Sequence, residues 1–228
     1  MEDNRSGGAQ NAPAETPKKR EWTFLYRFIV GLFRLLAKAV FFVRLEGMEN
    51  IPKGRACVLM GNHQCILDPF MLALCTPDRE IRFMGKKELF ANRFLTWFFT
   101  RLHGFPVDRG NIDMAAIRTA LGVLKEGDTL GIFPEGTRSR AGHMLPLLGG
   151  ASMIALRSGC DVVPVYIDGR YRPFCRMTVR VGKPLEVADL HAQRVTKDTC
   201  EALTHRMENA FAILSGGKSL PPAQGEAQ

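Results

Sequence analysis

Short apolar, β-prone runs alternate with helix-forming segments along most of this 228-residue chain, and this alternation constrains the fold more than any other feature. Runs such as 56–60 and 129–133 are typical of buried strands. The segment 113–125 has helical character, with a capping aspartate at its start and a glycine just after its end. Strands and helices in alternation predict an α/β fold, in which helices flank both faces of a largely parallel sheet.

The predicted elements follow one another without internal repeats. The predicted strands are 56–60, 81–84, 104–107, 129–133, 161–167 and 177–181. The predicted helices are 69–75, 92–102, 113–125, 151–158 and 197–214. With 46% hydrophobic residues, the chain can bury one sizeable core and leaves little room for a second domain. We therefore expect a single folded domain over residues 46–214, with disordered tails at residues 1–20 and 215–228.

Polar residues follow the strand 56–60 and join it to the next helix. His63 lies on this connection, and Asp68, followed by Pro69, begins the helix. A loop that folds back would let the carboxylate of Asp68 reach the imidazole of His63. A histidine held in this way can take a proton from a hydroxyl group that attacks a carbonyl. The alternative is a helix-capping aspartate beside an ordinary loop histidine.

Two further polar segments follow apolar runs. The run 129–133 leads into Pro134-Glu135-Gly136-Thr137-Arg138-Ser139, where proline and glycine predict a sharp turn. Glu135 and Thr137 provide a hydrogen-bond acceptor and a hydroxyl group. Arg138 provides a guanidinium group suited to bidentate contact with phosphate. Arg109 ends a second segment, Gly104-Phe105-Pro106-Val107-Asp108-Arg109. Ligands of parallel sheets bind at the carboxyl ends of the strands, where all these segments fall. The alternative for each arginine is a solvated surface charge.

In these residues the chain resembles the glycerolipid acyltransferases, and among them the bacterial lysophosphatidate acyltransferases. Within residues 47–182, four blocks match in the family's order: Asn62-His63 with Asp68, Gly104 to Arg109, Phe133 to Ser139, and Val163-Pro164-Val165. The resemblance implies that His63 is the general base and that Asp68 orients it. It also implies that the glycerol-phosphate acceptor is held by Arg109, Glu135, Gly136, Thr137 and Arg138.

The implied reaction transfers an acyl group from a thioester to the free hydroxyl of lysophosphatidate and gives phosphatidate for phospholipid synthesis. The thioester, of coenzyme A or of acyl carrier protein, carries its own activation, so we expect no cofactor and no metal. Family members often carry a lysine after the third block, where this chain has Leu145-Pro146-Leu147-Leu148-Gly149-Gly150. Glycerol 3-phosphate or another lysolipid therefore stays open as the acceptor.

Residues 21–45 are strongly apolar, but Arg27, Arg34 and Lys38 share one helical stripe. A membrane-spanning helix normally needs about 20 apolar residues with few charges. We therefore predict an amphipathic helix on the membrane surface, with its basic stripe toward anionic headgroups. A core helix with its charged stripe in water is the alternative. The expected location is the cytoplasmic face of the cell membrane, as a peripheral or monotopic protein.

The net charge of +8 and the pI near 9.4 favour an anionic partner. A membrane surface and an acidic carrier protein fit, whereas no nucleic-acid-binding motif is recognisable. A non-catalytic protein that binds anionic membranes is a further alternative, although such a protein would not require both His63 and Asp68. Six scattered cysteines form no Cys-x-x-Cys pair, so reduced thiols are expected. Cys65 lacks a second cluster of ligands, which argues against zinc.

Overall fold

A computed structural model describes residues 24–109, 113–139 and 143–217 of the chain. Its strands are β1 Val43–Glu46, β2 Cys57–Gly61, β3 Ile81–Lys86, β4 Gly104–Val107, β5 Thr129–Ile132, β6 Asp161–Asp168 and β7 Met177–Val181. Its helices are α1 Phe24–Val40, α2 Asp68–Cys75, α3 Arg93–Arg101, α4 Met114–Lys125, α5 Gly149–Ser158, α6 Ala188–His191 and α7 Lys197–Ser215. Short 3-10 turns cover Met48–Asn50 and Lys87–Phe90.

The strands form one sheet in the order β1-β7-β6-β2-β5-β3-β4. Neighbours are parallel except that β7 runs antiparallel to β6, so β7 and β1 point opposite to the other five strands. One face of the sheet packs against α1 and α2, and the other packs against α4, α5 and α7. The prediction of a single α/β domain with a largely parallel sheet flanked by helices is therefore confirmed.

The predicted strands and helices of the core are present, with ends that differ by at most two residues. The sequence reading missed two elements, the four-residue strand β1 and the short helix α6. Ser215 is buried at the end of α7, so the prediction of a tail beginning at residue 215 was wrong at its start. The predicted tail at residues 1–20 and the remainder of the other tail, from residue 218, lie outside the described residues.

The N-terminal helix is shorter than predicted. It was expected to reach residue 45, but α1 ends at Val40, and the segment Val43–Glu46 pairs with β7 as an edge strand. Backbone pairing with β7 overrides the apolar character that made this segment look like a continuation of the helix. Within the described residues, no helix has both the length and the apolar character needed to span a membrane.

One face of α1 belongs to the core and another faces outward. Its buried residues are Tyr26, Phe33 and Ala37, and the hydroxyl of Tyr26 accepts a hydrogen bond from the N–H of Ile81 at 3.2 Å. The large apolar side chains of α1 that remain exposed are Phe24, Phe28, Leu32, Leu35 and Leu36. Within the described residues, these exposed side chains form an apolar surface on α1 that no other element covers.

Five strands, β2 to β6, end at one edge of the sheet, because all of them run in the same direction. The connections that leave them there begin at Asn62, Lys87, Asp108, Phe133 and Gly169. The polar segments singled out in the sequence therefore lie together at this edge. Asp113 supports the connection after β4 by capping α4, since its Oδ1 accepts the N–H groups of Ala115 and Ala116.

Candidate active site

The side chains of His63 and Asp68 are in contact, as the sequence led us to expect. The connection leaves β2 after Gly61 and folds back, so that Nδ1 of His63 lies 2.8 Å from Oδ2 of Asp68. The same oxygen accepts the backbone N–H groups of Gln64 at 2.6 Å and Cys65 at 2.7 Å. Asp68 is completely buried, so its charge depends on these donors in place of water.

Asp68 does not cap α2. The helix begins at Asp68 itself, and the capping position is occupied by Leu67, which makes no side-chain cap. The carboxylate turns back onto the loop, so the alternative of a capping aspartate beside an unrelated histidine is wrong. Because the oxygens of Asp68 accept hydrogen bonds from backbone donors, the imidazole proton belongs on Nδ1. This leaves Nε2 of His63 as the basic nitrogen.

The second oxygen of Asp68 has a partner that the sequence reading missed. The hydroxyl of Tyr171, on the connection between β6 and β7, donates a hydrogen bond to Oδ1 of Asp68 at 2.5 Å. Burial, together with the negative charge of Asp68, raises the pKa of Tyr171 well above its usual range, so the phenol stays protonated. No local signal marks this tyrosine, because the contact joins residues 103 positions apart.

Glu135 fixes the backbone on which His63 lies. Its Oε1 accepts the N–H of His63 at 2.7 Å and its Oε2 accepts the N–H of Leu145 at 2.8 Å. The N–H of Ser139 also donates to the carbonyl of His63 at 2.8 Å. The sequence predicted that Glu135 contacts the acceptor, but the structure shows a buried carboxylate whose two oxygens both serve backbone groups. A direct contact with the acceptor stays a prediction.

The environment of Glu135 disfavours its charge. Burial raises the pKa of Glu135 to about 7, against the lowering effect of its hydrogen bonds from Leu145 and His63, and the charge of Asp68 raises it further. The carboxyl group therefore changes its protonation state near neutral pH. Such a shift is common at functional sites, where burial and neighbouring charges are concentrated.

Neighbouring residues hold the imidazole and the start of its loop. The ring of Phe133 stacks on that of His63, with centroids 4.2 Å apart and an interplanar angle of 20°. Asn62 is anchored to the end of β6, because its side chain donates to the carbonyl of Ile167 and accepts the N–H of the same residue. Packing and hydrogen bonds thus fix the position of His63 before any substrate binds.

A cavity of about 390 Å³ opens beside His63. The loop residues 62–65 form one part of its wall, and Glu135 and Ser139 form another. Arg170 and Tyr171 line it from the connection after β6. Arg170 is exposed and was not among the residues predicted for the site. Its proximity to His63 depends on the way in which β6 lies next to β2.

The turn at 134–139 exposes two of the residues predicted to hold the acceptor, Thr137 and Arg138. Gly136 has a φ angle of 69°, and a Cβ there would lie 2.4 Å from Cδ1 of Leu148, so this position requires glycine. The segment with leucine in place of the family's lysine packs back on the turn, since the N–H of Leu148 donates to the carbonyl of Pro134 at 2.8 Å. Thr137 and Arg138 are exposed beyond it.

Arg109 and Arg138 lie close enough to repel each other. Much of the Arg109 side chain is exposed, but partial burial of its guanidinium, followed by the positive charge of Arg138, lowers the pKa of Arg109. Among the residues that the structure describes, neither arginine forms a salt bridge. The negative charge of Glu88 opposes this effect on Arg109 only in part, so an anion between the two guanidinium groups would relieve the remaining repulsion.

Backbone donors near these arginines are also free. Gly136 donates its N–H to the carbonyl of Phe133 at 3.0 Å, whereas in the described part of the chain the N–H groups of Thr137 and Arg138 have no acceptor. Successive free N–H groups in a turn favour an anion. A metal site, in contrast, was not found in the described ranges, where no group of three or more His, Cys, Asp or Glu side chains could hold an ion.

The arrangement provides an imidazole, a carboxylate that orients it, a cavity beside the imidazole, and a turn with free backbone N–H groups at the same sheet edge. Nε2 of His63 can take a proton from a hydroxyl group in the cavity, and Asp68 can stabilise the imidazolium that forms. The geometry therefore suits the activation of a hydroxyl nucleophile on a molecule that also carries an anionic group.

Comparison with known proteins agrees with this chemistry. A family model described as Acyltransferase matches residues 42–168. The 1-acyl-sn-glycerol-3-phosphate acyltransferase of Bacillus subtilis is 31% identical over 195 aligned residues, which cover 83% of this chain and 96% of that protein. The protein of the same name from Pseudomonas aeruginosa is 32% identical over 152 residues, covering 64% of this chain and 57% of the relative.

A solved structure is also similar over most of the chain. The 1-acyl-sn-glycerophosphate (LPA) acyltransferase PlsC from Thermotoga maritima superposes with a TM-score of 0.62 at 27% identity. The match covers 83% of this chain and 76% of that one. The family-model match over residues 42–168 includes His63, Asp68 and strands β1 to β6.

Proposed function

The chain belongs to the acyltransferase family, and we propose that it transfers an acyl group from a thioester to the free hydroxyl of lysophosphatidate. The observation that carries this proposal is the contact between His63 and Asp68 beside a cavity, with Arg109 and Arg138, which form no salt bridge within the described residues, near the same sheet edge. The relatives' names supply the acceptor, because the proteins from Bacillus subtilis and Pseudomonas aeruginosa are both named for 1-acyl-sn-glycerol-3-phosphate.

In the proposed reaction, Nε2 of His63 takes the proton of the acceptor hydroxyl as its oxygen attacks the thioester carbonyl. The new carbon–oxygen bond forms, the carbon–sulfur bond breaks, and the thiolate leaves with the proton that His63 returns. Asp68 holds the Nδ1 proton and stabilises the imidazolium, so the protein itself is never acylated. Tyr171 and two backbone N–H groups keep the carboxylate in place during both steps.

The turn after β5 is the proposed site of the acceptor phosphate. The guanidinium groups of Arg109 and Arg138 can donate hydrogen bonds to the phosphate, and so can the free backbone N–H groups of Thr137 and Arg138. Gly136 permits the turn, and the hydroxyl of Thr137 adds a further donor. Two backbone N–H groups near the site, those of His63 and Gly136, already have acceptors. They are therefore not free to stabilise the oxyanion that forms when the thioester carbonyl is attacked.

The donor is proposed to be a soluble thioester of coenzyme A or acyl carrier protein. Its carbonyl is activated by the thioester bond, and the exposed basic residues at the sheet edge suit the phosphates of either carrier. The acceptor, in contrast, partitions into lipid. We expect the exposed apolar side chains of α1, including Phe24, Phe28 and Leu35, to contact the bilayer on its cytoplasmic side, where the donor is made.

An acceptor panel tests the proposal directly. Purified full-length protein would be incubated with lysophosphatidate, glycerol 3-phosphate and an uncharged monoacylglycerol, each with both donor types, and the products identified by mass spectrometry. Phosphatidate as the main product, absent with His63→Ala protein, is the expected result. Product from glycerol 3-phosphate alone would reassign the acceptor, and no acyl transfer to any acceptor would contradict the proposed activity.

A further inference from the structure

Two phenylalanines near the active site have an unusual backbone conformation and exposed rings. Phe42 and Phe174 have φ angles of 40° and 62°, in the left-handed region that bulky residues rarely adopt. Their side chains are 49% and 75% exposed, and their ring centroids lie 6.4 Å apart. Burial offers neither ring much stabilisation, and glycine would relieve the backbone strain at both positions. Folding alone therefore gives no reason for phenylalanine at either position.

The loop that carries Phe174 is strongly basic. Residues 169–176 join β6 to β7 and contain Arg170, Arg172 and Arg176, all of them exposed. Within the described ranges none of these three arginines forms a salt bridge, and the neighbouring carboxylate of Asp168 is paired with Arg180 at 2.9 Å. An exposed aromatic ring in a loop with three exposed arginines fits the interface of an anionic bilayer, where rings enter the headgroup region and guanidinium groups bind phosphate.

The loop is tied both to α1 and to the catalytic residues. The N–H of Phe174 donates to the carbonyl of Val40, the last residue of α1, at 2.6 Å. Tyr171, three residues earlier, donates to Asp68 and packs edge-on against Phe41 with ring centroids 5.9 Å apart. Arg170 lines the cavity of His63. The two exposed rings therefore stand where the outward face of α1 ends and the cavity begins.

We propose that Phe42 and Phe174 form an aromatic wedge that enters an anionic phospholipid bilayer beside the mouth of the His63 cavity. The arginines of the loop 169–176 hold the headgroups around it. This surface adjoins the end of α1, and the loop that carries Phe174 also carries Arg170 and Tyr171, which line the cavity. The wedge gives the strained backbone a role, because the backbone conformation at both positions leaves the rings exposed to a bilayer. Its role in delivering a lipid acceptor rests on the proposed function, whereas its insertion into a bilayer does not.

Insertion is measured by tryptophan quenching in the full-length chain. Phe174→Trp keeps an aromatic ring at the wedge, and Ile213→Trp places one at a side chain that is 80% exposed on α7, on the opposite face of the sheet. Each variant is mixed with vesicles of phosphatidylcholine and phosphatidylglycerol whose acyl chains are brominated. After subtraction of the emission of the native tryptophans, we expect quenching at position 174 and none at 213. Absence of quenching at 174, or equal quenching at both, would overturn the proposal.

A glycine variant separates membrane contact from packing. Phe174→Gly removes the ring and relieves the positive φ, so the wedge predicts an unchanged or higher Tm together with weaker binding to the same vesicles. The loss of one interfacial ring should reduce the vesicle partition coefficient roughly tenfold. Ile213→Ser is the matched control and should bind as wild type does. A lower Tm with unchanged binding would show that Phe174 is a packing residue and would contradict the wedge.

The remaining outcomes are also decisive. If the wedge joined two copies of the chain, Phe174→Gly would change the sedimentation of the protein without vesicles, and position 174 would not be quenched. Preferential binding of an acidic carrier protein to the wild type over Phe174→Gly, again without quenching, would assign the surface to that partner. If the protein acylated none of the proposed acceptors but position 174 were quenched, the proposed function would fail and the wedge would stand.

Discussion

The phenol of Tyr171 and the imidazole of His63 bind opposite oxygens of one buried carboxylate. Tyr171 donates to Oδ1 of Asp68 at 2.5 Å, and Nδ1 of His63 lies 2.8 Å from Oδ2. The negative charge of Asp68 is therefore shared between a neutral donor and the base that it orients. Any change in the first hydrogen bond alters how strongly the carboxylate stabilises an imidazolium on the other side.

Tyr171→Phe should change the pH dependence of the reaction. Loss of the hydroxyl leaves more of the Asp68 charge to stabilise the protonated form of His63, so the acid limb of kcat/KM should move to higher pH. Hydrogen bonds to charged groups contribute about 1.5–3 kcal/mol, which sets an upper limit of roughly one to two pH units. The measurement is a pH–rate profile of both proteins. A uniform fall in kcat with an unmoved acid limb would mean that Tyr171 only packs.

His63→Ala should abolish acyl transfer while the fold persists, because it removes the imidazole that Asp68 holds beside the cavity. General-base catalysis contributes typically 10²–10⁴-fold, so the loss should be at least of that order. Asp68→Asn should also reduce kcat strongly, because an amide can donate to Nδ1 and move the imidazole proton to Nε2. Steady-state rates, with circular dichroism as the test of folding, decide the matter. Near wild-type transfer by folded His63→Ala protein would refute the assigned base.

The sequence predicted this pair because the relevant interactions are local. His63 and Asp68 are five residues apart, and a proline after the aspartate marks where the helix begins. The alternation of strands and helices was equally visible, since periodicity and composition act over short windows. The polar segments could be assigned to one edge of the sheet because the carboxyl ends of parallel strands meet there.

The parts that sequence did not predict depend on distant pairing. Tyr171 reaches Asp68 only because β6 lies beside β2, and the role of Glu135 as a backbone acceptor spans 72 positions. Strand β1 reads as the end of an apolar helix, and only its register with β7 makes it a strand. The left-handed backbone of Phe42 and Phe174 is also invisible in sequence, because phenylalanine does not favour it.

Arg109→Ala and Arg138→Ala should each raise the KM for a phosphate-bearing acceptor. A charge-assisted contact of about 1.5–3 kcal/mol corresponds to roughly a tenfold increase or more. Arg118→Ala, at an exposed position on α4, is the matched control for the loss of one positive charge and should leave KM unchanged. Kinetics with lysophosphatidate and with an uncharged monoacylglycerol provide the comparison. Equal losses with both acceptors would show that these arginines do not bind the phosphate.

Glu135 should make the protein less stable as the pH rises toward neutrality. Because burial raises the pKa of Glu135 from 4.5 to about 7, the folded chain holds a proton between these values that the unfolded chain has released. This contribution to the free energy of unfolding is complete below pH 4.5 and is lost as the pH rises through 7, by at most about 3 kcal/mol.

Glu135→Gln removes the titration. Urea unfolding of both proteins at several pH values between 4.5 and 8 should show a difference in slope, with the glutamine variant depending less on pH. The variant should also lose activity, since an amide group accepts only one of the two backbone hydrogen bonds and loosens the His63 loop. Parallel pH dependence in the two proteins would be inconsistent with a raised pKa at this position.

The outward face of α1 is predicted to bind the membrane, and the structure shows how to test it without unfolding the chain. Tyr26, Phe33 and Ala37 are part of the core, so deleting the helix would damage the domain. Phe28→Ser with Leu35→Ser alters only exposed side chains, and it should weaken binding to anionic vesicles while leaving Tm within a few degrees of wild type. Met114→Ser, at an exposed position on the opposite face, is the matched control.

The basic residues of α1 should add a salt-dependent part to this binding. Arg34 and Lys38 are both exposed, and each positive charge near an anionic bilayer contributes about 1 kcal/mol. Arg34→Glu with Lys38→Glu should therefore weaken vesicle flotation strongly at low salt and much less at high salt, where screening already removes the attraction. The apolar variant should lose binding at every salt concentration, because burial of its side chains does not depend on ions. If either double variant unfolded while Met114→Ser did not, α1 would be a core helix with its charges in water. If both floated as wild type does, the membrane contact would lie elsewhere on the domain.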